Sequence, residues 1–194
     1  MIIDSGGANL ASLQFALERL EVRARISSEP AEIAGAPRVV LPGVGSARDA
    51  MQRLHAAGLA QRLRHLEQPV LGICLGMQLL YRHSAEGSTE CLGVLPGTVG
   101  RLLPQPGLPV PHMGWNQLAL SASDPLLEGV SSGDYVYFVH SYAAACATET
   151  VATVNYGVDI TAVVRHGNFW GTQFHPERSG AVGARILANF LAVS

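Results

Sequence analysis

An α/β fold is predicted for this 194-residue chain: a mostly parallel central sheet with helices on both faces and an additional antiparallel β element. Three observations predict it. Up to residue 93, short apolar β-branched runs alternate with amphipathic stretches of helical period, the pattern of parallel strands joined by crossover helices. Beyond residue 93, β-branched runs punctuated by Gly and Pro follow one another directly, which reads as partly antiparallel. No repeat, low-complexity segment or linker interrupts the chain, and with 48% hydrophobic and 14% charged residues it can bury one sizeable core, so residues 1–194 are expected to form a single domain.

In chain order, Ile2 and Ile3 make a short buried strand that ends in the turn chemistry of Asp4-Ser5-Gly6-Gly7. Asn9 caps a helix whose Leu10, Leu13, Leu17 and Leu20 form one apolar stripe opposite Gln14, Glu18 and Arg19. Residues 22–26 read as a strand. Residues 38–41 are a clearer one, stopping at Pro42-Gly43-Val44-Gly45 before a helix that starts near Ser46 and carries Met51 and Leu54. Another helix bears Leu59, Leu63 and Leu66, then 70–73 form a buried strand and 77–81 begin a helix. Residues 93–103, 105–115, 135–139, 151–156, 160–165 and 169–174 read as strands and turns, with His112 in a Pro-rich loop. The stretch 183–193 closes as a helix docking through Ile186, Leu187, Phe190 and Leu191.

In sheets of this kind ligands sit beyond the carboxyl ends of the strands, which is where Cys74 and the 42–45 loop fall. Cys74 lies in Gly72-Ile73-Cys74-Leu75-Gly76, the cysteine counterpart of the G-x-S-x-G nucleophile elbow, in which small neighbours allow a sharp strand-to-helix turn. A helix N-terminus there favours thiolate, the nucleophilic form. A buried structural thiol fits the pentapeptide equally well. The apolar strand ending at Phe174 delivers His175-Pro176-Glu177 to the same sheet edge. Alternation in extended backbone would point His175 and Glu177 to one side, a base beside its orienter. His140 is the rival base, but its neighbours Ser141 and Tyr142 offer no carboxylate. Gly43-Val44-Gly45 is the candidate oxyanion loop, with the Leu75 N–H as second donor. His55, His65, His83 and His166 read as solvated positions on helix faces or turns, and no histidine has metal-ligand spacing.

Composition narrows the chemistry. A net charge of -2 without a basic cluster argues against nucleic acid or a membrane surface as partner. All thirteen cations are arginine, which excludes Schiff-base lysine chemistry and a Walker-type lysine. Three cysteines without a C-x-x-C pair fit a reducing compartment, and a cytoplasmic protein is expected.

GICLGMQ at 72–78 and QFHPE at 173–177 resemble the class I glutamine amidotransferases. LPGVG at 41–45, PHMGWN at 111–116, YFVHSY at 137–142 and FHPERSG at 174–180 are more discriminating, and resemble the HisH-type glutaminase subunits of imidazole glycerol phosphate synthases over essentially the whole chain. The resemblance implies a three-layer, flavodoxin-like fold and a Cys-His-Glu triad of Cys74, His175 and Glu177. It also implies that Gly43, Val44, Gly45, Leu75, Gln78, Ser141 and Tyr142 hold L-glutamine and its oxyanion, without metal or cofactor. Ammonia released through a thioester would pass by a protein channel to a (β/α)8 cyclase subunit, the HisF-type partner of a heterodimer. The joint products would be imidazole glycerol phosphate and the aminoimidazole carboxamide ribonucleotide of histidine biosynthesis.

Two departures from the family pattern stand out. Ser5 and Ala8 replace Tyr and Gly in D-Y-G-x-G-N, and Arg178 replaces the common lysine after H-P-E, where an ion pair to the partner is expected with altered geometry. Alternative readings are a glutaminase serving another synthase, a catalytically silent regulatory protein of the same fold, and a thiol hydrolase of another amide or ester.

Overall fold

The computed structural model describes residues 1–4 and 10–193; the expected cap at Asn9, most of the turn after Asp4, and Ser5 and Ala8 lie outside the described residues. The first half runs β1 (Ile2–Ile3), α1 (Leu10–Glu18), β2 (Ile26–Ser27), α2 (Pro30–Ala34), β3 (Val39–Leu41), α3 (Ala47–Ala56), α4 (Leu59–Leu63), β4 (Val70–Ile73) and α5 (Leu75–Leu80). The second half is mainly strand: β5 (Tyr81–Ser84), β6 (Thr89–Glu90), β7 (Leu95–Arg101), β8 (His112–Gln117), β9 (Ala119–Leu120), β10 (Tyr135–His140), β11 (Tyr142–Ala144), β12 (Thr150–Asn155), β13 (Asp159–His166) and β14 (Phe169–Thr172), closed by α6 (Gly180–Ala192).

An eight-stranded sheet with order β2-β1-β3-β4-β14-β13-β12-β9 forms the centre. It is parallel from β2 through β14 and antiparallel from β13 outward. Its parallel strands are apolar on both faces because both faces are covered. Ile2, Val40, Leu71 and Trp170 pack with Leu13 and Leu17 of α1 and with Ile186, Leu187 and Phe190 of α6. Their neighbours Ile3, Val39, Val70 and Phe169 face the other way, onto Met51 and Leu54 of α3 and Leu59 and Leu63 of α4. The antiparallel β element is two smaller sheets, the ribbon β8-β10 and the four-stranded β11-β7-β5-β6, the latter mixed because β5 and β7 run parallel.

Several local expectations are corrected. Of the strand expected over 22–26, only Ile26 pairs, with Ile2, and it does so together with Ser27 opposite Ile3. α4 stops at Leu63, and Leu66 is buried from the loop that follows. α5 begins two residues before the expected 77 and ends before Tyr81, which opens β5; the side chains of this helix are buried throughout, so it carries no amphipathic signature to mark its ends. β14 ends at Thr172 rather than 174, and α6 begins at Gly180 rather than 183. His83 lies in β5, and His112 opens β8 and is buried. Pro109 and Pro111 obscured that strand start, since proline punctuation argues for a loop.

The tightest approach in the sheet lies between β3 and α5. A Cβ on Gly76 would stand 1.8 Å from the Leu41 carbonyl oxygen, and one on Gly72 would stand 2.7 Å from the Met77 nitrogen. Backbone meets backbone at both places, so no side-chain rotation can make room. Gly76→Ala is therefore expected to destabilise the protein by about 3 kcal/mol or more, read as a fall in Tm on the order of 10 °C. A melting curve unchanged from wild type would show that α5 can slide away from β3.

Candidate active site

Cys74 stands between β4 and α5 with φ +52° and ψ -109°, a conformation that costs a non-glycine residue energy and that the flanking close contacts over-determine. Its N–H donates to the Thr172 carbonyl of the adjacent strand β14 at 2.7 Å. The predicted elbow is therefore present, with the sulphur at the carboxyl end of the parallel strands. The residue is 8% exposed.

β14 positions the histidine, though by a different geometry from the expected alternation. Residues 176–178 form a single 3-10 turn rather than extended chain, and that turn folds Glu177 back so that His175 Nδ1 and Glu177 Oε1 meet at 2.7 Å. Pro176 at the first position supplies the fixed φ this turn needs. Two further bonds anchor the segment: His175 N–H donates to the Tyr137 carbonyl at 2.9 Å, and Ser179 Oγ donates to the His175 carbonyl at 2.7 Å. Burial alone would lower the His175 pKa, but hydrogen bonds to Cys74 and Glu177, reinforced by their charges, raise it to about 10. The contacts with Cys74 and Glu177 thus favour the protonated ring.

Gly43, Val44, Gly45, Leu75, Gln78, Ser141, Tyr142 and Arg178 line one cavity of about 440 Å³ together with Cys74, His175 and Glu177, so the structure brings every predicted site residue together. Gly45 has φ +88°, which frees the loop after β3 to turn its peptides in a way side-chain-bearing residues resist. Gly43 is needed for a different reason: its Cβ would come within 3.0 Å of Leu75 Cβ, so the loop lies directly on the first turn of α5. Leu75 opens that helix, so its N–H has no intrahelical acceptor and is available near the sulphur. Gln78 Nε2 donates to the Tyr142 carbonyl at 2.8 Å and to Gln173 Oε1 at 3.0 Å.

His140 is not a free base. Its Nδ1 lies 2.9 Å from the Tyr142 carbonyl and its Nε2 lies 3.1 Å from His112 Nδ1, so both nitrogens are engaged. Burial holds its pKa down to about 3 and that of His112 down to about 4. Arg178 stacks over the Tyr137 ring, with the guanidinium carbon 4.7 Å from the centroid.

Glu86, a carboxylate in the cavity wall that accepts the Ala47 N–H at 2.8 Å, belongs to no motif that would mark it in the sequence. Gln173, which the QFHPE motif alone gives no role, is fully buried, and its Nε2 lies 3.8 Å from Cys74 Sγ. The assembly can carry out nucleophilic acyl transfer: a thiol nucleophile, an adjacent proton carrier oriented by a carboxylate, and backbone donors next to the sulphur.

The fold is that of the glutamine amidotransferases, and the chain belongs to the class-I glutamine amidotransferase family, whose sequence model matches residues 1–193. More particularly, it is similar to the imidazole glycerol phosphate synthase subunit HisH of Xanthomonas axonopodis pv. citri, at 54% identity over 193 residues covering 100% of this chain and 96% of that one. The HisH subunit of Xylella fastidiosa is likewise 54% identical over 190 residues, covering 98% of this chain and 95% of that one. Among solved structures, a glutamine amidotransferase crystal structure superposes with a TM-score of 0.75 at 20% identity, covering 98% of this chain and 95% of that one, a likeness of fold.

Acid should unfold this protein through the buried histidine pair. The folded state keeps His112 and His140 neutral, while the unfolded chain takes up protons below about pH 6.5. Stability from these groups is therefore complete above pH 6.5 and declines as pH falls toward 4, at up to about 1.4 kcal/mol per pH unit for each group. Urea titrations at pH 7 and pH 5 are expected to differ by about 2 kcal/mol or more; equal stabilities would mean that the pair accepts protons in place.

Proposed function

We propose that this chain is the glutaminase subunit of an imidazole glycerol phosphate synthase, hydrolysing L-glutamine and passing the ammonia to a (β/α)8 cyclase subunit of HisF type in a heterodimer. The juxtaposition of Cys74, His175 and Glu177 at one cavity carries the catalytic part of this reading, and the similarity to HisH subunits carries the choice of synthase.

In the proposed mechanism Cys74 Sγ attacks the side-chain amide carbon of glutamine. The oxyanion is met by backbone N–H groups of Leu75 and of the 43–45 loop. His175 gives its proton to the amide nitrogen, the C–N bond breaks, ammonia leaves and a thioester remains. His175 then takes a proton from water, which attacks the thioester carbon; the C–S bond breaks, and glutamate and thiolate are released. Glu177 holds the imidazole in register and balances its charge through both halves. Glu86 offers a carboxylate for the substrate ammonium, while Gln78 and the backbone at Ser141 and Tyr142 hold the rest of the glutamine.

The partner face supports the division of labour. In the β8-β10 ribbon alternate residues face outward, leaving Met113 63%, Trp115 55% and Tyr135 53% exposed beside Tyr137 and Arg178. Val139 belongs to the same face and lines the cavity, so a protein seated there would cover the mouth of the site and shield ammonia from water. The cyclase is the proposed occupant, with Arg178 at the contact. Free thiols at Cys74, Cys91 and Cys146 accord with a reducing cytoplasm, and among the described residues no helix is long and apolar enough to cross a membrane.

Cys74→Ala is expected to abolish glutamine hydrolysis while synthesis from added ammonia by the complex persists; full glutaminase activity in that variant would overturn the nucleophile. His175→Asn should cut turnover by at least about a hundredfold, with ammonia-dependent synthesis again retained. Trp115→Glu should weaken association with the cyclase at least about tenfold, measured by calorimetric titration. Unchanged affinity would move the interface elsewhere.

A further inference from the structure

We propose that His140 and His112 are positioning residues of the glutaminase site, part of a polarity-fixed hydrogen-bond network that holds the Tyr142 carbonyl, the shared acceptor that orients Gln78 and, through it, the Gln173 amide toward the sulphur of Cys74. The proposal rests on the glutaminase reading for its kinetic consequences and on geometry for the chain itself.

The direction of every bond is forced. The Tyr142 carbonyl can only accept, so His140 Nδ1, 2.9 Å away, carries the hydrogen. In a neutral ring His140 Nε2 is then an acceptor, and His112 Nδ1 donates to it across 3.1 Å. His112 Nε2 is left as an acceptor, facing Asn116 Nδ2 at 3.3 Å. Asn116 cannot turn its amide over, because its Nδ2 also donates to the Asn155 carbonyl at 3.0 Å and its Oδ1 accepts the Gln117 N–H at 2.8 Å. Backbone groups therefore pin the polarity at both ends.

At the Tyr142 carbonyl two donor runs converge. The oxygen takes a second hydrogen from Gln78 Nε2 at 2.8 Å, and Gln78 gives its other amide hydrogen to Gln173 Oε1 at 3.0 Å. Reversing Gln78 would set its oxygen against two acceptors at once. Gln173 is consequently fixed with Nε2 toward Cys74 Sγ, 3.8 Å away. His112 is clamped between the Phe138 and Tyr156 rings, at centroid distances of 4.6 and 3.9 Å, which keeps the dyad from swinging out of line. The residue His140 serves most directly is thus Tyr142, part of the wall that would hold glutamine, and the expected signature is in substrate binding more than in turnover.

Two measurements test this, one independent of any activity. In the isolated chain at neutral pH, nitrogen NMR of the imidazoles should find both His112 and His140 as Nδ1–H tautomers; an Nε2–H tautomer at either ring overturns the chain. The kinetic test uses the complex with its cyclase and nucleotide, comparing His140→Asn, whose Nδ2 can replace the Nδ1 donor, with His140→Gln and His140→Leu, which cannot. The latter two should raise KM for glutamine about tenfold with a smaller change in kcat, while the Asn variant stays within about threefold of wild type. A packing role predicts the opposite order, since Leu suits the apolar neighbours better than Asn, and that order would refute the proposal. A wild-type complex without glutamine hydrolysis would instead refute the glutaminase reading and leave the tautomer measurement to decide the chain.

Discussion

Gly76 rests against the carbonyl of Leu41, and most of the site depends on that contact. It draws the first turn of α5 across the end of β3, which places the 43–45 loop over Leu75 and brings the backbone donors to the sulphur. The same closeness leaves no room for a relaxed turn after β4, so Cys74 is held at positive φ. Strain at the nucleophile is thus maintained by packing a few residues away, in the all-backbone layer where proteins yield least.

The two halves of the chain divide the work. The parallel half supplies the nucleophile and its donors from consecutive strand-loop-helix units, all by local geometry. The antiparallel half supplies groups that must reach the sulphur from outside: His175 and Glu177 from the turn after β14, and the wall at Val139 to Tyr142 from the ribbon. Cys91 makes the contrast plain. It is buried like Cys74, but burial pushes its thiol up to about 11 and its Sγ donates to the Thr89 carbonyl at 3.6 Å.

How much of this was legible in the sequence follows from the range of the interactions. Apolar strand runs and the elbow are local, so β3, β4, β14 and Cys74 could be read from neighbouring residues, and every predicted site residue lies at one cavity. The pairing of His175 with Glu177 was anticipated for an inexact reason: a 3-10 turn, not strand alternation, closes the 2.7 Å contact. Glu86, Gln173 and the His112–His140 pair are not legible in the sequence because their meaning comes from partners far away along the chain. His112 pairs across 28 residues and Gln173 reaches Cys74 across 99. No periodicity encodes such contacts, and prolines before β8 disguised the strand itself.

The β8-β10 ribbon has a final consequence for how this protein can change. Its even-numbered residues, His112, Asn116 and His140 among them, turn inward to the hydrogen-bonded chain, while odd-numbered Met113, Trp115, Tyr135 and Tyr137 turn outward. A single inserted or deleted residue would exchange the two faces, setting imidazoles in solvent and aromatic rings against the core. Length changes within the ribbon are therefore tolerable only in pairs, so the inner chemistry and the outer surface are inherited as one unit.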